Sequence, residues 1–174
     1  MKRLLVAFVI VISFLIGCSA DIEDFKEADL RFNLFDFFTG ETQAWGMVQD
    51  YSGLQTRRFD VDIVGKVAGD TLTLVEDFQF SDGEVSERIW VIKAIGNGEY
   101  QGTADDVIGI AKGREVGNAL QWEYEMDLQV DGEHYRVTFE DWMYRQDSHH
   151  MFNVAEIKKF GIGVGKVTLF FTKK

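Results

Sequence analysis

Proline is absent from all 174 residues, where an average usage near 5% would supply about nine. That excludes proline-rich linkers and leaves the 17 glycines to make the turns. Cysteine occurs once, at Cys18, so no intrachain disulfide can staple the fold and stability has to come from packing. Histidine is almost as scarce. His149 and His150 are adjacent, which sends them to opposite faces of a strand, and His134 stands apart. No set of three or four converging ligands, as zinc requires, can be drawn from them, and no other cofactor motif is present. Positive charge is outnumbered, with 18 Lys and Arg against 29 Asp and Glu for a net −11. Such a balance argues against nucleic acid or anionic headgroups as partners. What is abundant is apolar and aromatic: 46% of the chain is hydrophobic and 14% aromatic, enough for a real core in one domain.

The apolar residues start early. Lys2-Arg3 precede a run from Leu4 to Ile16 interrupted only by Ser13, with Gly17 before Cys18. A basic start, a short apolar core and a small residue before the cut describe an export signal. Its 13 positions fall short of the roughly 20 that span a bilayer as a helix. The tetrapeptide Leu15-Ile16-Gly17-Cys18 resembles a lipobox. That resemblance implies cleavage before Cys18 and acylation of its thiol and new amine, a membrane attachment made by more than one chain. An ordinary signal would instead leave Cys18 as a lone thiol near an exposed end. Ser19, where inner-membrane retention usually has Asp, directs the expectation to the periplasmic face of a Gram-negative outer membrane. The chain then divides into a signal at 1–17, an acidic tether at 18–31 and one domain at 32–174. Without its first 17 residues it carries 16 bases (18 − 2) against 29 acids, a net −13.

Beyond Gly40 the hydrophobic pattern has period two. Leu120, Trp122, Tyr124, Met126 and Leu128 alternate with Gln121, Glu123, Glu125 and Asp127; Leu72, Leu74, Phe78 and Phe80 share another phase. Hairpin dipeptides Asp82-Gly83, Asn97-Gly98 and Asp131-Gly132 separate such runs. The spacing predicts nine or ten strands, near 43–50, 56–67, 71–80, 85–95, 99–104, 107–113, 118–130, 133–147, 151–158 and 164–172. With few edge-protecting devices, an all-β antiparallel up-and-down barrel of about 8–10 strands is expected, preceded by a short helical turn. Four phenylalanines between Phe32 and Phe38 suit that turn as a cap on the core; a membrane-dipping patch is the alternative.

Phe37-Phe38-Thr39-Gly40-Glu41-Thr42-Gln43-Ala44-Trp45-Gly46 resembles the start of the first strand of lipocalin-like (calycin) barrels. The lipobox, Ala44-Trp45-Gly46, Arg57-Arg58-Phe59, Asp82-Gly83, Arg88-Ile89-Trp90, Gly117-Asn118-Ala119-Leu120-Gln121-Trp122, Asp141-Trp142-Met143 and Lys159-Phe160-Gly161 together resemble a Gram-negative lipoprotein family known as domain of unknown function 3833. That resemblance implies a lipoprotein with a calycin-type barrel and supplies no catalytic residues.

Strand phase nominates the interior polar groups. Glu76 falls in the inward phase of Leu72 and Phe78, Arg88 in that of Trp90 and Ile92, and Asp141 in that of Val137 and Phe139. Charge buried among apolar side chains has to be paired, so Arg88 is expected to bridge Glu76 or Asp141. Three readings follow: an internal ion pair that sets register, a polar end to a lipid pocket with Arg88 on a carboxylate or phosphate head, and a catalytic acid pair. No nucleophile or activating base accompanies the last. Trp45, Trp90 and Trp122 are expected to line the pocket and Arg57 to offer a second anion contact, with Arg58 solvated. Trp142, in the outward phase, is the candidate for a partner or membrane contact. Gly161-Ile162-Gly163-Val164-Gly165-Lys166 mimics a phosphate loop, but a strand rather than a helix follows, so a bend is expected.

The leading functional expectation is a non-enzymatic lipoprotein whose barrel binds a fatty acid or related lipid. A scaffold acting through its acidic surface, with a filled barrel and an unidentified protein partner, is the rival; an enzyme on modified lipids is the third. Cys18→Ser should move the protein from the membrane fraction to the soluble periplasm and remove the acyl mass from its N-terminal peptide. A wild-type protein with an unmodified Cys18 thiol contradicts the anchor.

Overall fold

The period-two segments form ten strands: β1 (Gly40–Asp50), β2 (Gln55–Ala68), β3 (Thr71–Phe80), β4 (Val85–Gly96), β5 (Glu99–Thr103), β6 (Val107–Val116), β7 (Ala119–Val130), β8 (Glu133–Arg145), β9 (His150–Lys159) and β10 (Ile162–Lys173). This computed structural model describes residues 20–130 and 132–174; the expected signal segment, Cys18 and Asp131 of the last predicted hairpin dipeptide lie outside them. Each strand pairs antiparallel with its chain neighbours, and β1 pairs with β10, so the sheet closes into an up-and-down barrel without an open edge. Glycine makes the turns, as proline's absence requires. In the β4–β5 hairpin, Asn97 and Gly98 both take positive φ, 55° and 73°. Phe160 and Gly161 do the same between β9 and β10, and strand pairing resumes at Ile162. The glycine-rich 161–166 stretch is therefore a hairpin turn running into a strand, not a phosphate loop.

One end of the barrel is plugged. Helix α1 (Leu34–Phe38) starts where the Asn33 side chain accepts from the Asp36 amide, and it drives Leu34, Phe37 and Phe38 into the core at 2%, 0% and 3% exposure. The Lys173 ammonium donates to the carbonyls of Asp36, Phe37 and Thr39 at 2.7, 2.9 and 2.8 Å, satisfying oxygens that a helix end leaves bare. This burial rules out the membrane-dipping reading of the Phe32–Phe38 cluster. The plug also dictates Gly65, because a Cβ there would lie 1.7 Å from the Phe38 carbonyl oxygen.

Residues 21–31, expected to be a tether, lie against the same end of the barrel. A 3₁₀ turn (Ile22–Phe25) is capped by Asp21, buries Ile22, and places the Phe25 ring 5.8 Å from Trp142 and 5.7 Å from Tyr144. Further along, the Phe32 amide donates to the Gly117 carbonyl at 2.6 Å, and Arg114 pairs with Glu23. Trp142 does point outward, as its phase predicts, and Phe25 packs on it.

Gly65→Ala should loosen the plug and cost about 1–3 kcal/mol, the usual penalty for forcing atoms into a packed core. Thermal denaturation reads this directly; an unchanged melting temperature contradicts the close approach.

Candidate functional site

The inward side chains do not fill the barrel. Near α1 they pack tightly, with Leu72 and Leu120 fully buried. Toward the opposite end, where the β1–β2, β3–β4, β5–β6, β7–β8 and β9–β10 turns lie, Val48, Phe78, Phe80, Leu128, Val167 and Leu169 are only partly covered. A cavity of about 260 Å³ runs from Leu34 and Phe38 of the plug to these mouth residues, its wall mostly apolar.

The polar groups sit midway along the barrel. β3 and β4 pair without a bulge from Thr71–Lys93 to Gln79–Val85, which sets Glu76 directly opposite Arg88. Both face the cavity, as does Asp141 on β8. The expected bridge is absent, however. Arg88 donates through Nε and Nη2 to one oxygen of Asp106, Oδ2, at 2.9 and 2.6 Å. Asp106 lies in the β5–β6 turn, whose path brings a carboxylate to the guanidinium from the mouth side. Asp141 has other partners: its Oδ1 accepts from Asn153 Nδ2 at 3.4 Å and it is hydrogen-bonded to the Tyr124 hydroxyl. Glu76 has no hydrogen-bond partner among the described residues.

Burial sets the ionisation of this group. It raises the Glu76 carboxyl to about 7; Arg88 opposes the shift, while Asp106 and Asp141 add to it. Glu76 is only half-buried by area, but the surface it keeps faces the cavity rather than bulk water. Burial likewise raises Asp141 to about 6, against the hydrogen bonds from Asn153 and Tyr124 and the charge of Arg88. The Tyr124 hydroxyl is pushed well above its ordinary value, chiefly by burial.

The other predicted residues divide. Trp90 and Trp122 line the cavity, edge to face with centroids 5.7 Å apart. Trp45 does not: it is 45% exposed on the outer wall, stacked on Phe170. Its β1 neighbour Gly46 takes the inward position, where a Cβ would come within 2.2 Å of the Phe59 ring. Arg57 reaches the mouth, but Asp82 (2.7 Å) and Glu84 (2.6 Å) pair it and Phe80 lies under it at 3.6 Å. That leaves it a mouth residue already balanced by two carboxylates. Among the described residues no group of three or more ligands could hold a metal. His134 contacts Asp127 instead, and His150 contacts Asp147.

Sequence reasoning did not single out Asp106, Tyr124 or Asn153. Tyr124 and Asn153 share inward phases with Trp122 and Ala155, so a polar atom in an apolar series was available as a signal. Asp106 is in a turn and has no phase to read.

A closed ten-stranded antiparallel barrel with a helical plug and a lined cavity is a lipocalin-like architecture. The chain belongs to the family described as protein of unknown function (DUF3833), whose model matches residues 12–173. Among solved structures it is similar in fold to the S-type phycobiliprotein lyase CPES from Guillardia theta, with a TM-score of 0.56 at 10% identity, covering 80% of this chain and 90% of that one. No curated protein matches.

A carboxyl whose folded-state pKa is raised binds more protons folded than unfolded, so its contribution to stability falls as pH rises from about 4.5 through about 7. Glu76→Gln should therefore stabilise the protein at pH 8, by on the order of 3 kcal/mol at most, and change little at pH 5. Denaturant melts at the two pH values test this; an equal effect at both contradicts a proton-holding Glu76.

Proposed function

We propose that the protein is a non-enzymatic, lipid-anchored barrel of the periplasmic face of the outer membrane that binds a single short acyl chain, such as a fatty acid, in its mouth-side cavity. The observation that carries this reading is an apolar cavity with one polar wall, formed by Glu76, Arg88 and Asp141, with Asp106 paired to Arg88. Ligand sites are commonly built this way, with many apolar contacts for affinity and a few polar groups for orientation. At about 260 Å³ the space lies just under the usual range of about 300–1,000 Å³. It suits one short chain and excludes a two-chain phospholipid.

Anchoring at Cys18 gives the barrel an orientation. Cys18 and Asp21 are three residues apart, a span of at most about 10 Å, and from Asp21 onward the chain lies against the plugged end. The plug then faces the bilayer and the mouth opens away from it, so ligand exchanges with soluble donors or acceptors rather than with the anchoring leaflet. The scaffold reading keeps one specific support, an aromatic strip on the outer wall in which the exposed Trp45 and Phe152 pack on the half-buried Phe170.

Native mass spectrometry of a periplasmic Cys18→Ser protein should show one small acyl ligand per barrel, displaced by added decanoic acid. Arg88→Met should lose that ligand while remaining folded by circular dichroism. Val48→Trp, which fills the mouth and leaves the polar wall intact, should lose it too. An empty barrel that ignores added fatty acid contradicts the proposal.

A further inference from the structure

The polar wall holds one cation against three acids. Glu76 projects from β3 and Asp141 from β8 into the cavity with Arg88 of β4, and Asp106 of the β5–β6 turn pairs with that arginine. No free charge offsets the imbalance: β2 supplies Val61, Ile63 and, at the mouth, Arg57, which is already paired with Asp82 and Glu84, while the Tyr124 hydroxyl of β7 and Asn153 of β9 carry no charge. Arg88 spends Nε and Nη2 on Asp106 Oδ2, which leaves Nη1 without a hydrogen-bond partner among the described residues. Glu76, itself without a hydrogen-bond partner among the described residues, lies directly across the strand pair from Arg88. The second oxygen of Asp106 is buried with no partner either, so the wall has unused donors and acceptors together.

A carboxylate arriving at this wall is the fourth acid beside a single guanidinium. Two carboxyl groups side by side in an apolar cavity cannot both stay ionised. We infer that a carboxylate-headed ligand binds together with a proton, which is shared between its own carboxyl and that of Glu76 while Arg88 Nη1 donates to the ligand's other oxygen. The inference rests on the acyl-binding reading above and gives it a ligand class: monocarboxylic acids taken up with one proton from solvent, with no bond made or broken. Glu76 is half ionised near neutral pH, so the proton is available there and becomes harder to supply above it. A head group without charge needs no such proton, because an alcohol can donate to the ionised Glu76.

Isothermal titration calorimetry of the Cys18→Ser protein at pH 8, in two buffers of different ionisation heat, tests this without any variant of the site. Decanoate should bind with uptake of about one proton per ligand, and decanol with none. The decanoate Kd should rise about tenfold per pH unit between pH 7.5 and 9. In Glu76→Gln, whose amide donates at every pH, it should stay flat over that range. Saturable decanoate binding with no proton uptake overturns the shared proton and leaves the acyl pocket standing. Failure of both decanoate and decanol to bind at any pH overturns the two together.

Discussion

The structure turns on a half-buried guanidinium that is outnumbered. Arg88 enters an apolar barrel where three carboxyl groups converge, and it neutralises only one of them, Asp106, through two hydrogen bonds to a single oxygen. An ion pair inside a barrel is weak support for stability, since desolvating both charges offsets most of their attraction. Burial raises the surplus acids, Glu76 to about 7 and Asp141 to about 6. A fold optimised only for packing would have apolar residues at these positions. Their presence next to unfilled space is the physical reason for reading the interior as a site.

The rest of the molecule keeps that space where it is. Closure of β1 on β10 fixes the circumference, so the interior cannot collapse by losing a strand. Plugging one end with Phe37 and Phe38, held by Lys173, confines access to the other. Glycines at 65 and 46 admit the plug carbonyl and the Phe59 ring into positions where a methyl group would collide. Aromatic contacts among Trp90, Trp122, Tyr124 and Phe139 stiffen the wall behind the polar groups. Side chains are therefore most fully buried near the plug, and the unfilled space that starts there is least covered at the mouth.

Much of this was legible in the residues because a strand's period of two is simple to read. The alternation at Leu120–Leu128 and the hairpin dipeptides place the strands to within a few residues, and β10 begins at Ile162 because Phe160 and Gly161 already complete the turn. Glu76 and Arg88 could be assigned inward because β3 and β4 pair without a bulge, so phase carries through unbroken. What escaped depends on contacts remote in sequence. Arg88's partner is set by the path of the β5–β6 turn, and turns have no phase. The docking of residues 21–31 depends on Phe25 meeting Trp142, which lies on the far side of the chain. Trp45, expected in the pocket, lies outside because β1 places Ala44 and Gly46 inside and leaves the indole out.

The central claim is that the mouth-side cavity holds an acyl chain with its head at Arg88 and Glu76. The most direct measurement is a crystal structure of the Cys18→Ser protein with a fatty acid brominated at its terminal carbon, read by anomalous scattering. The account predicts one bromine among Phe80, Val48 and Leu128, with the carboxyl beside Arg88. Bromine on the outer strip of Trp45, Phe152 and Phe170, or no bound ligand at saturating concentration, would contradict it.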